Sequence, residues 1–293
     1  MTDDLTRLAF GGLAPARIDR LIERYETPER VLRAIEHRRV KVTDRVRDAI
    51  AVDSTTRRSQ LVDLGVSLVF DGDDAFPKRL LVHEGHPRWL FMRGSRVGMP
   101  SIGIVGTRAC TAYGLEMAEM YGHIAANAGW SVVSGLARGI DGAAHRGTVR
   151  AKGHCHAVLG SGIDVIYPVA HRKLFRSILD TGGLITSEYP PGTPPEGWRF
   201  PTRNRIIAGC SDVLIVVEAG VKGGALITAR IALDYGVPVY ATPGDVDRDV
   251  SIGTNLLIRD GAFPILGPED LAEILDLLSS LYPRAVASTV DEV

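Results

Sequence analysis

From Ser101 onward the chain alternates short apolar runs with longer amphipathic stretches whose apolar residues recur every third or fourth position. This alternation predicts strands followed by helices, which is typical of a doubly wound α/β fold with a mostly parallel sheet between helices. The predicted strands cover residues 101–105, 130–134, 155–159, 184–188, 212–217, 237–241 and 262–265. The predicted helices cover residues 112–127, 141–151, 171–180, 202–208, 224–235, 253–259 and 268–279.

The N-terminal part has a different pattern. Apolar residues recur at helical spacing from Leu5 to about Val52, interleaved with arginine and glutamate, and the polar stretch 53–60 is predicted to close this module. Two short strand candidates, 66–70 and 88–93, follow between turn-forming residues. We therefore predict four segments: an all-helical domain (1–60), a lead-in (61–98), the main α/β domain (99–281) and a tail (282–293).

Composition limits the possible functions. The 293 residues are 45% hydrophobic and 24% charged, as in ordinary globular proteins. With 34 Lys and Arg against 35 Asp and Glu, nucleic acid would have to bind locally through a few loop arginines. The three cysteines lack CxxC spacing, so neither a disulfide framework nor a zinc site is expected. No signal peptide or membrane-length apolar run is visible, so we expect a cytoplasmic protein without a membrane segment.

Two predicted strands end in glycine loops that carry an arginine. A strand that ends at glycine and leads into a helix aims backbone N–H groups and a helix N-terminus at one point, which suits phosphate. Two such loops indicate a ligand with several phosphates, either a nucleotide chain or a nucleotide. The GxGxxG spacing and the acidic ribose-binding residue of a dinucleotide site are missing, so no nicotinamide or flavin cofactor is expected. The loop residues are Gly106 and Arg108 after the first strand, and Ser134, Gly135, Arg138 and Gly139 after the second.

A third candidate lies at a predicted helix start. Thr202 is expected to cap a short helix with Arg203 and Arg205 in its first turn. A cation at that position is unfavourable without an anion nearby, because the helix N-terminus carries partial positive charge. The two arginines therefore either bind an anion or form internal salt bridges, for example with Glu188 or Glu218, and the sequence alone favours neither.

Residues capable of catalysis have simpler structural explanations. Asp141 is expected to cap the following helix through the backbone N–H groups of residues 143 or 144. His145, four residues later, is more readily its structural hydrogen-bond partner than half of an acid–base dyad. Ser161 lacks the outer glycines of a GxSxG elbow, and His154 and His156 lack further metal ligands. We expect no catalytic residue, metal or cofactor.

An ordered set of motifs resembles the DNA-processing protein A (DprA/Smf) family. Their order and spacing hold from about Gly65 to Leu275. The motifs are Val105-Gly-Thr-Arg108, Ser134-Gly-Leu-Ala-Arg-Gly-Ile-Asp141 with His145, Gly160-Ser-Gly-Ile-Asp164, Phe200-Pro-Thr-Arg-Asn-Arg-Ile-Ile207, Leu226-Ile-Thr-Ala229 and Gly253-Thr-Asn-Leu-Leu-Ile258.

The resemblance implies a Rossmann-like domain that binds single-stranded DNA in a basic pocket, preceded by a sterile-alpha-motif-like helical domain. It also implies protection of incoming strands and loading of the RecA recombinase during natural transformation, by a homodimer without established enzymatic activity. Trp198 or Phe200 would stack on bases. The implied DNA-binding residues are Gly106, Arg108, Ser134, Gly135, Arg138, Gly139, Arg203, Asn204, Arg205, Gly223, Gly224 and Thr228.

Three features depart from the family's pattern. The common Ser-Gly-Ser before Leu-Ile-Thr-Ala is Gly223-Gly224-Ala225 here, which removes two hydroxyls at a helix N-terminus and leaves the backbone N–H groups. His171 stands where asparagine is frequent. After Leu281 the chain has no room for the C-terminal winged helix that many members carry, so its contacts are not expected.

Two other functions remain open. A phosphoribohydrolase of the lysine-decarboxylase-like (LOG) group would share the sheet, but its Pro-Gly-Gly-x-Gly-Thr motif is not matched by residues 243–247, Pro-Gly-Asp-Val-Asp. A nucleotide-sensing module of a defence system would use the same phosphate loops. Release of free base would indicate the first, and tight mononucleotide binding without DNA affinity would indicate the second.

Overall fold

The computed structural model describes residues 2–281, in two units. The first contains the described residues up to Arg93 together with Leu159–Ile166 and Thr186–Glu196. The second contains Gly94–Val158, Tyr167–Ile185 and the described residues from Gly197 onward. The four-segment division stays a prediction, and its tail (282–293) lies outside the described residues. Within the described part of the chain, no helix has both the length and the apolar character needed to cross a membrane.

The first unit opens with helices whose starts follow from local chemistry. Thr27, Thr43 and Asp53 each accept a hydrogen bond from a backbone N–H in the first turn of the helix that follows. Because Asp53 caps in this way, the polar stretch 53–60 forms most of a further helix. The elements are α1 (Thr2–Phe10), α2 (Pro15–Tyr25), α3 (Pro28–Glu36), α4 (Asp44–Ala51), α5 (Ser54–Asp63), and the antiparallel strands β1 (Ser67–Phe70) and β2 (Trp89–Gly94).

The second unit confirms the predicted alternation of strands and helices. Its strands, of which the last residue of β5 and the last two of β6 are counted with the first unit, are β3 (Ser101–Val105), β4 (Ser131–Ser134), β5 (Cys155–Leu159), β6 (Leu184–Ser187), β7 (Val213–Val216), β8 (Val239–Ala241) and β9 (Phe263–Pro264). Its helices are α6 (Ala112–Asn127), α7 (Ile140–Arg150), α8 (Arg172–Asp180), α9 (Arg199–Gly209), α10 (Gly224–Asp234), α11 (Asp249–Arg259) and α12 (Pro268–Leu281).

The strand order explains where a ligand would bind. In the second unit the strands lie in the order β6-β5-β4-β3-β7-β8-β9, and β3 pairs in parallel with both β4 and β7. The chain therefore builds outward from β3 on one side and then returns to β7 on the other. In such doubly wound sheets, ligands bind beyond the carboxyl ends of the strands at this switch point. The doubly wound α/β class predicted from the sequence is confirmed.

Two helices begin earlier than predicted. Helix α9 starts at Arg199 instead of 202, because Pro201 fits in a first turn where its missing N–H is not needed. Thr202 is therefore not a cap, and its hydroxyl donates to the carbonyl of Trp198 at 3.0 Å. Helix α11 starts at Asp249 instead of 253, since the glycine at 253 lies inside the helix, where a side chain would crowd the carbonyl of Ala219.

Candidate nucleic-acid interface

A cavity of about 580 Å³ lies at the carboxyl ends of β3 and β7, at the switch point of the sheet. This volume is typical of sites that hold small ligands. Its walls come from the loops after β3 and β7, the β4–α7 connection, one face of α9, the first turn of α10 and the start of α11. The lining therefore combines several segments that are far apart in sequence.

The loop after β3 is fixed by Glu218, which follows β7. The N–H of Thr107 donates to the Glu218 carbonyl at 2.8 Å. The N–H and hydroxyl of Thr111 donate to the buried Glu218 carboxylate at 2.9 and 2.6 Å. A Cβ on Gly106 would collide with the side chain of Ile140, so glycine is needed there for close packing. Glu218 is thus a positioning residue of the loop and not an ion-pair partner of the α9 arginines.

The β4–α7 connection packs directly against that loop. Gly139 has φ +76°, a region that favours glycine, and a Cβ on it would collide with the carbonyl of Thr107. The N–H of Ile140 reaches the same carbonyl at 3.4 Å. Ser134 is buried and its hydroxyl donates to the carbonyl of Ile104 at 2.6 Å. The two predicted glycine loops therefore form one surface. The Ser134 hydroxyl is not part of that surface, because it is buried and bonded to the Ile104 carbonyl.

Asp141 does not cap α7 as predicted. Its carboxylate accepts from the N–H of Gly135 at 3.2 Å, and the helix begins at the N-cap Gly139 without a side-chain cap. Because Gly139 makes the sharp turn, Asp141 already lies inside the helix and faces back to the loop. Burial raises the pKa of Asp141, opposed by the nearby guanidinium groups of Arg203 and Arg108.

The predicted hydrogen bond between Asp141 and His145 is also wrong. Neither ring nitrogen of His145 is bonded to the Asp141 carboxylate, which uses the Gly135 N–H instead. His145 is fully buried in α7, and burial lowers its pKa to about 3. The imidazole is therefore neutral at ordinary pH and part of the packing.

Arg203 is 3% exposed and lies beneath the β4–α7 connection. Its guanidinium donates to the carbonyl of Gly135 at 2.9 Å and also to the carbonyl of Val158. A Cβ on Gly135 would collide with this guanidinium. Because α9 begins at Arg199, Arg203 lies in its second turn, not in the first as predicted. We call the buried group Gly135, Asp141 and Arg203 the floor.

The next two residues of α9, Asn204 and Arg205, differ in position, because only Asn204 lines the cavity. Asn204 is buried, lines the cavity and donates to the carbonyl of Gly224 at 3.1 Å. Thr228 donates to the same carbonyl at 2.9 Å, so both side chains hold the first turn of α10. Arg205 lies outside the cavity lining and donates to the carbonyl of Thr202 at 2.8 Å. Gly223, the N-cap of α10, and Gly224 line the cavity and are exposed.

Two exposed cations line the cavity, Arg108 and Lys222, and neither is ion-paired with a described residue. We call them the rim cations. The Arg108 guanidinium lies 4.6 Å from the centre of the Phe200 ring, and that ring lies 5.7 Å from the ring of Tyr167. Arg138 is also exposed and precedes Gly139, but it lies outside the lining.

Sequence reasoning missed Lys222. The available signal was a lysine directly before the glycine pair that opens α10. An arrangement of exposed cations, glycine loops and a helix N-terminus is suited to phosphates, and the pair formed by the half-buried Phe200 and the exposed Tyr167 is suited to bases.

Known proteins share these sequence and structural features. A sequence profile described as DNA recombination-mediator protein A matches residues 67–276. Protein Smf of Escherichia coli is 40% identical over 212 residues, which are 72% of this chain and 57% of that protein. The chain thus spans little more than half the length of this curated relative.

Two solved structures are also similar. The X-ray structure of DNA processing protein A from Streptococcus pneumoniae has a TM-score of 0.75 and 30% identity, with 92% of this chain and 96% of that chain covered. A structure of DNA processing protein A from Helicobacter pylori, described in terms of its single-stranded DNA binding mode, has a TM-score of 0.65 and 27% identity. The match covers 72% of this chain and 96% of that one.

Proposed function

The chain belongs to the DNA recombination-mediator protein A family, and from this premise we propose that it binds single-stranded DNA in the cavity of its second unit. One observation carries this proposal. At the switch point of the sheet, two touching glycine loops, the N-terminus of α10 and the rim cations surround one cavity. Phosphates are held by such groups with no need of a broadly basic surface.

In this proposal, the exposed and buried residues have different roles. The rim cations and Arg138 contact phosphates, together with backbone N–H groups of Gly106, Gly139, Gly223 and Gly224. The buried Arg203 holds the β4–α7 connection in place through Gly135. Asn204 and Thr228 hold the first turn of α10 through the Gly224 carbonyl. Arg205 and Ser134, whose side chains are used within the fold, act only indirectly.

Preference for unpaired strands comes from the aromatic side chains. Phe200 and Tyr167 lie next to one another, with Arg108 over Phe200, and Trp198 is 43% exposed just before α9. Unpaired bases have free faces, whereas bases in a duplex are already stacked. Each base stacked on an aromatic ring contributes about 1–3 kcal/mol, which is enough to discriminate against a duplex.

The wider role proposed for the chain is that of its family. We propose that it protects single strands and loads a RecA-type recombinase as a cytoplasmic homodimer that is not an enzyme. Support for this comes from the family membership and, for the absence of turnover, from the structural roles of Asp141 and His145. Faster RecA nucleation on strands coated with this protein is the expected result. Equal nucleation with and without it would contradict the loading role.

A titration tests the binding proposal. Labelled oligothymidylate, a matched duplex and a nucleoside monophosphate are each titrated with the full chain, and anisotropy is recorded. We expect the order oligothymidylate, duplex, monophosphate from tightest to weakest. Equal affinity for duplex and single strand would contradict the proposal.

A second candidate is a nucleotide sensor, because a cavity of about 580 Å³ also accommodates one nucleotide. In that case the monophosphate would bind tightly and the oligonucleotide would not. A LOG-like phosphoribohydrolase would in addition release free base from the monophosphate, which chromatography of the same mixture detects.

A further inference from the structure

The first unit carries cations that the cavity does not use. They occur at the start of α2, in the α3–α4 connection and in the first turn of α4. None of them is ion-paired with a described residue, and all except the half-buried first one are exposed. We call this group the basic ridge; it consists of Arg17, Arg38, Arg39, Lys41 and Arg45.

Hydrogen bonds hold the parts of the basic ridge together. The Arg17 guanidinium donates to the carbonyl of Lys41, which brings the start of α2 against the α3–α4 connection. Inside the connection, the N–H groups of Arg39 and Val40 donate to the carbonyl of Ala34 at 2.8 and 3.2 Å. Val40 is buried between the exposed Arg39 and Lys41. The connection is therefore a fixed turn that presents its cations to solvent.

Four other arginines, of α1, α3 and α4, are instead paired with carboxylates. Their partners include acidic residues that lie close to the basic ridge in sequence, so those carboxylates are already engaged. The pairs are Arg7–Glu36, Arg30–Glu26, Arg33–Glu29 and Arg47–Asp44. The basic ridge thus has five cations outside any ion pair in the described part of the chain, whose full sequence has a net charge of −1.

Helix electrostatics does not account for this charge. Arg38 and Arg39 follow the C-terminus of α3, where cations are favourable. Arg17 and Arg45, however, lie in the first turns of α2 and α4, where a cation is unfavourable unless an anion is nearby. Helix α2 has no acidic residue in its first turn and no side-chain cap. In α4 the acidic residue of the first turn, Asp44, is already paired with Arg47, so neither helix start offers an unpaired first-turn carboxylate to the basic ridge.

We propose that the basic ridge is a second contact surface for the phosphate backbone of a nucleic-acid strand. This inference rests on the proposed function, because the strand is the polyanion held in the cavity. The contacts are through charge alone, so they are independent of base sequence. They add affinity only for strands with enough phosphates to occupy the cavity and the ridge together.

The test compares two double variants of the full chain that remove the same charge. Arg39→Gln with Lys41→Gln changes the basic ridge, and Arg30→Gln with Arg33→Gln changes paired, exposed arginines of α3. Each protein is titrated with oligothymidylates of about 6 and about 40 nucleotides, the shorter having fewer phosphates than the cavity and the basic ridge together have cations. Both variants are first checked for an unchanged circular dichroism spectrum and melting temperature.

We expect the ridge variant to bind the short strand as the wild type does and to bind the long strand about fivefold more weakly at moderate salt. Its log–log salt slope on the long strand should fall by about 1.4, since each phosphate contact contributes about 0.7. The α3 variant should match the wild type on both strands. The proposal that the basic ridge binds the strand would be overturned if the two variants had equal effects, or if the ridge variant bound the long strand with unchanged affinity. Failure of the wild type to bind either strand would instead overturn the cavity proposal.

Discussion

Arginine has opposite surroundings on the floor and at the rim of the cavity. On the floor, Arg203 is buried, donates to two backbone carbonyls and lies beside the Asp141 carboxylate. At the rim, Arg108 is exposed and its guanidinium lies over the face of Phe200. The same side chain therefore stabilises the fold in one place and remains available to a ligand in the other. Changes on the floor should act first on stability, and changes at the rim should act on binding alone.

The largest effect is expected for Arg203→Ala. It removes the guanidinium with the stronger influence on the buried Asp141 carboxylate, and one donor from each of two carbonyls, which costs about 3–5 kcal/mol of the free energy of unfolding. Urea denaturation measures this loss. Arg108→Ala is the control and should change that free energy by less than about 0.5 kcal/mol. Equal stability of the two variants would remove the distinction between floor and rim.

Lowering the pH should reduce the stability of the fold without changing the charge of the rim cations. Burial lowers the pKa of both His145 and His156 to about 3, below the 6.5 of an exposed histidine. The unfolded chain binds these protons first, so stability is full above pH 6.5 and falls as the pH drops toward 3. Each histidine contributes about 1.4 kcal/mol per pH unit in that window. Urea denaturation at pH 7.5, 6.5 and 5.5 measures the slope of the free energy of unfolding, and His145→Gln should reduce it by about 1.4 kcal/mol per pH unit. A midpoint constant to pH 5 would contradict the assignment.

A methyl group tests the contact between the two glycine loops. Gly139→Ala places a side chain at φ +76° against the Thr107 carbonyl, so we expect a loss of about 2 kcal/mol and weak binding of single strands. Gly72→Ala is the control, since nothing lies within 4 Å of its added Cβ, its φ is outside the left-handed region and it is not part of the cavity lining. Melting temperatures and anisotropy separate the two. If both glycines tolerate alanine, the loops do not depend on this contact.

The smallest effect is expected for Arg138→Ala. This exposed side chain has no structural role in the described residues, so the melting temperature should stay within about 1 °C. Binding of all single-stranded sequences should weaken similarly, because phosphates carry no sequence information. A lower melting temperature with an unchanged salt slope would instead indicate that Arg138 is a structural residue.

Much of the second unit follows from the sequence because periodicity is a local property. The bounds of β3 and α6 were predicted to the residue, and both glycine loops fall where strands end. The depth of Arg203 was not predictable, because it depends on how α9 packs under a loop that is distant in sequence. The start of α9 was predicted too late because Pro201 was not expected inside its first turn. The partner of Asp141 was misassigned because the N-cap of α7 is Gly139 and not Asp141. Lys222 was missed because a single lysine in a loop has no distinguishing pattern.

The most direct test of the central claim is the salt dependence of oligothymidylate binding to the wild type and to Arg108→Ala with Lys222→Ala. Anisotropy titrations between low and moderate salt give the log–log slope. On a short strand of about 6 nucleotides, if Arg108, Lys222 and Arg138 each neutralise one phosphate, the wild-type slope is about 2, and removing both rim cations lowers it by about 1.4 without changing stability. An unchanged slope in the double variant, with affinity intact, would contradict binding at this cavity.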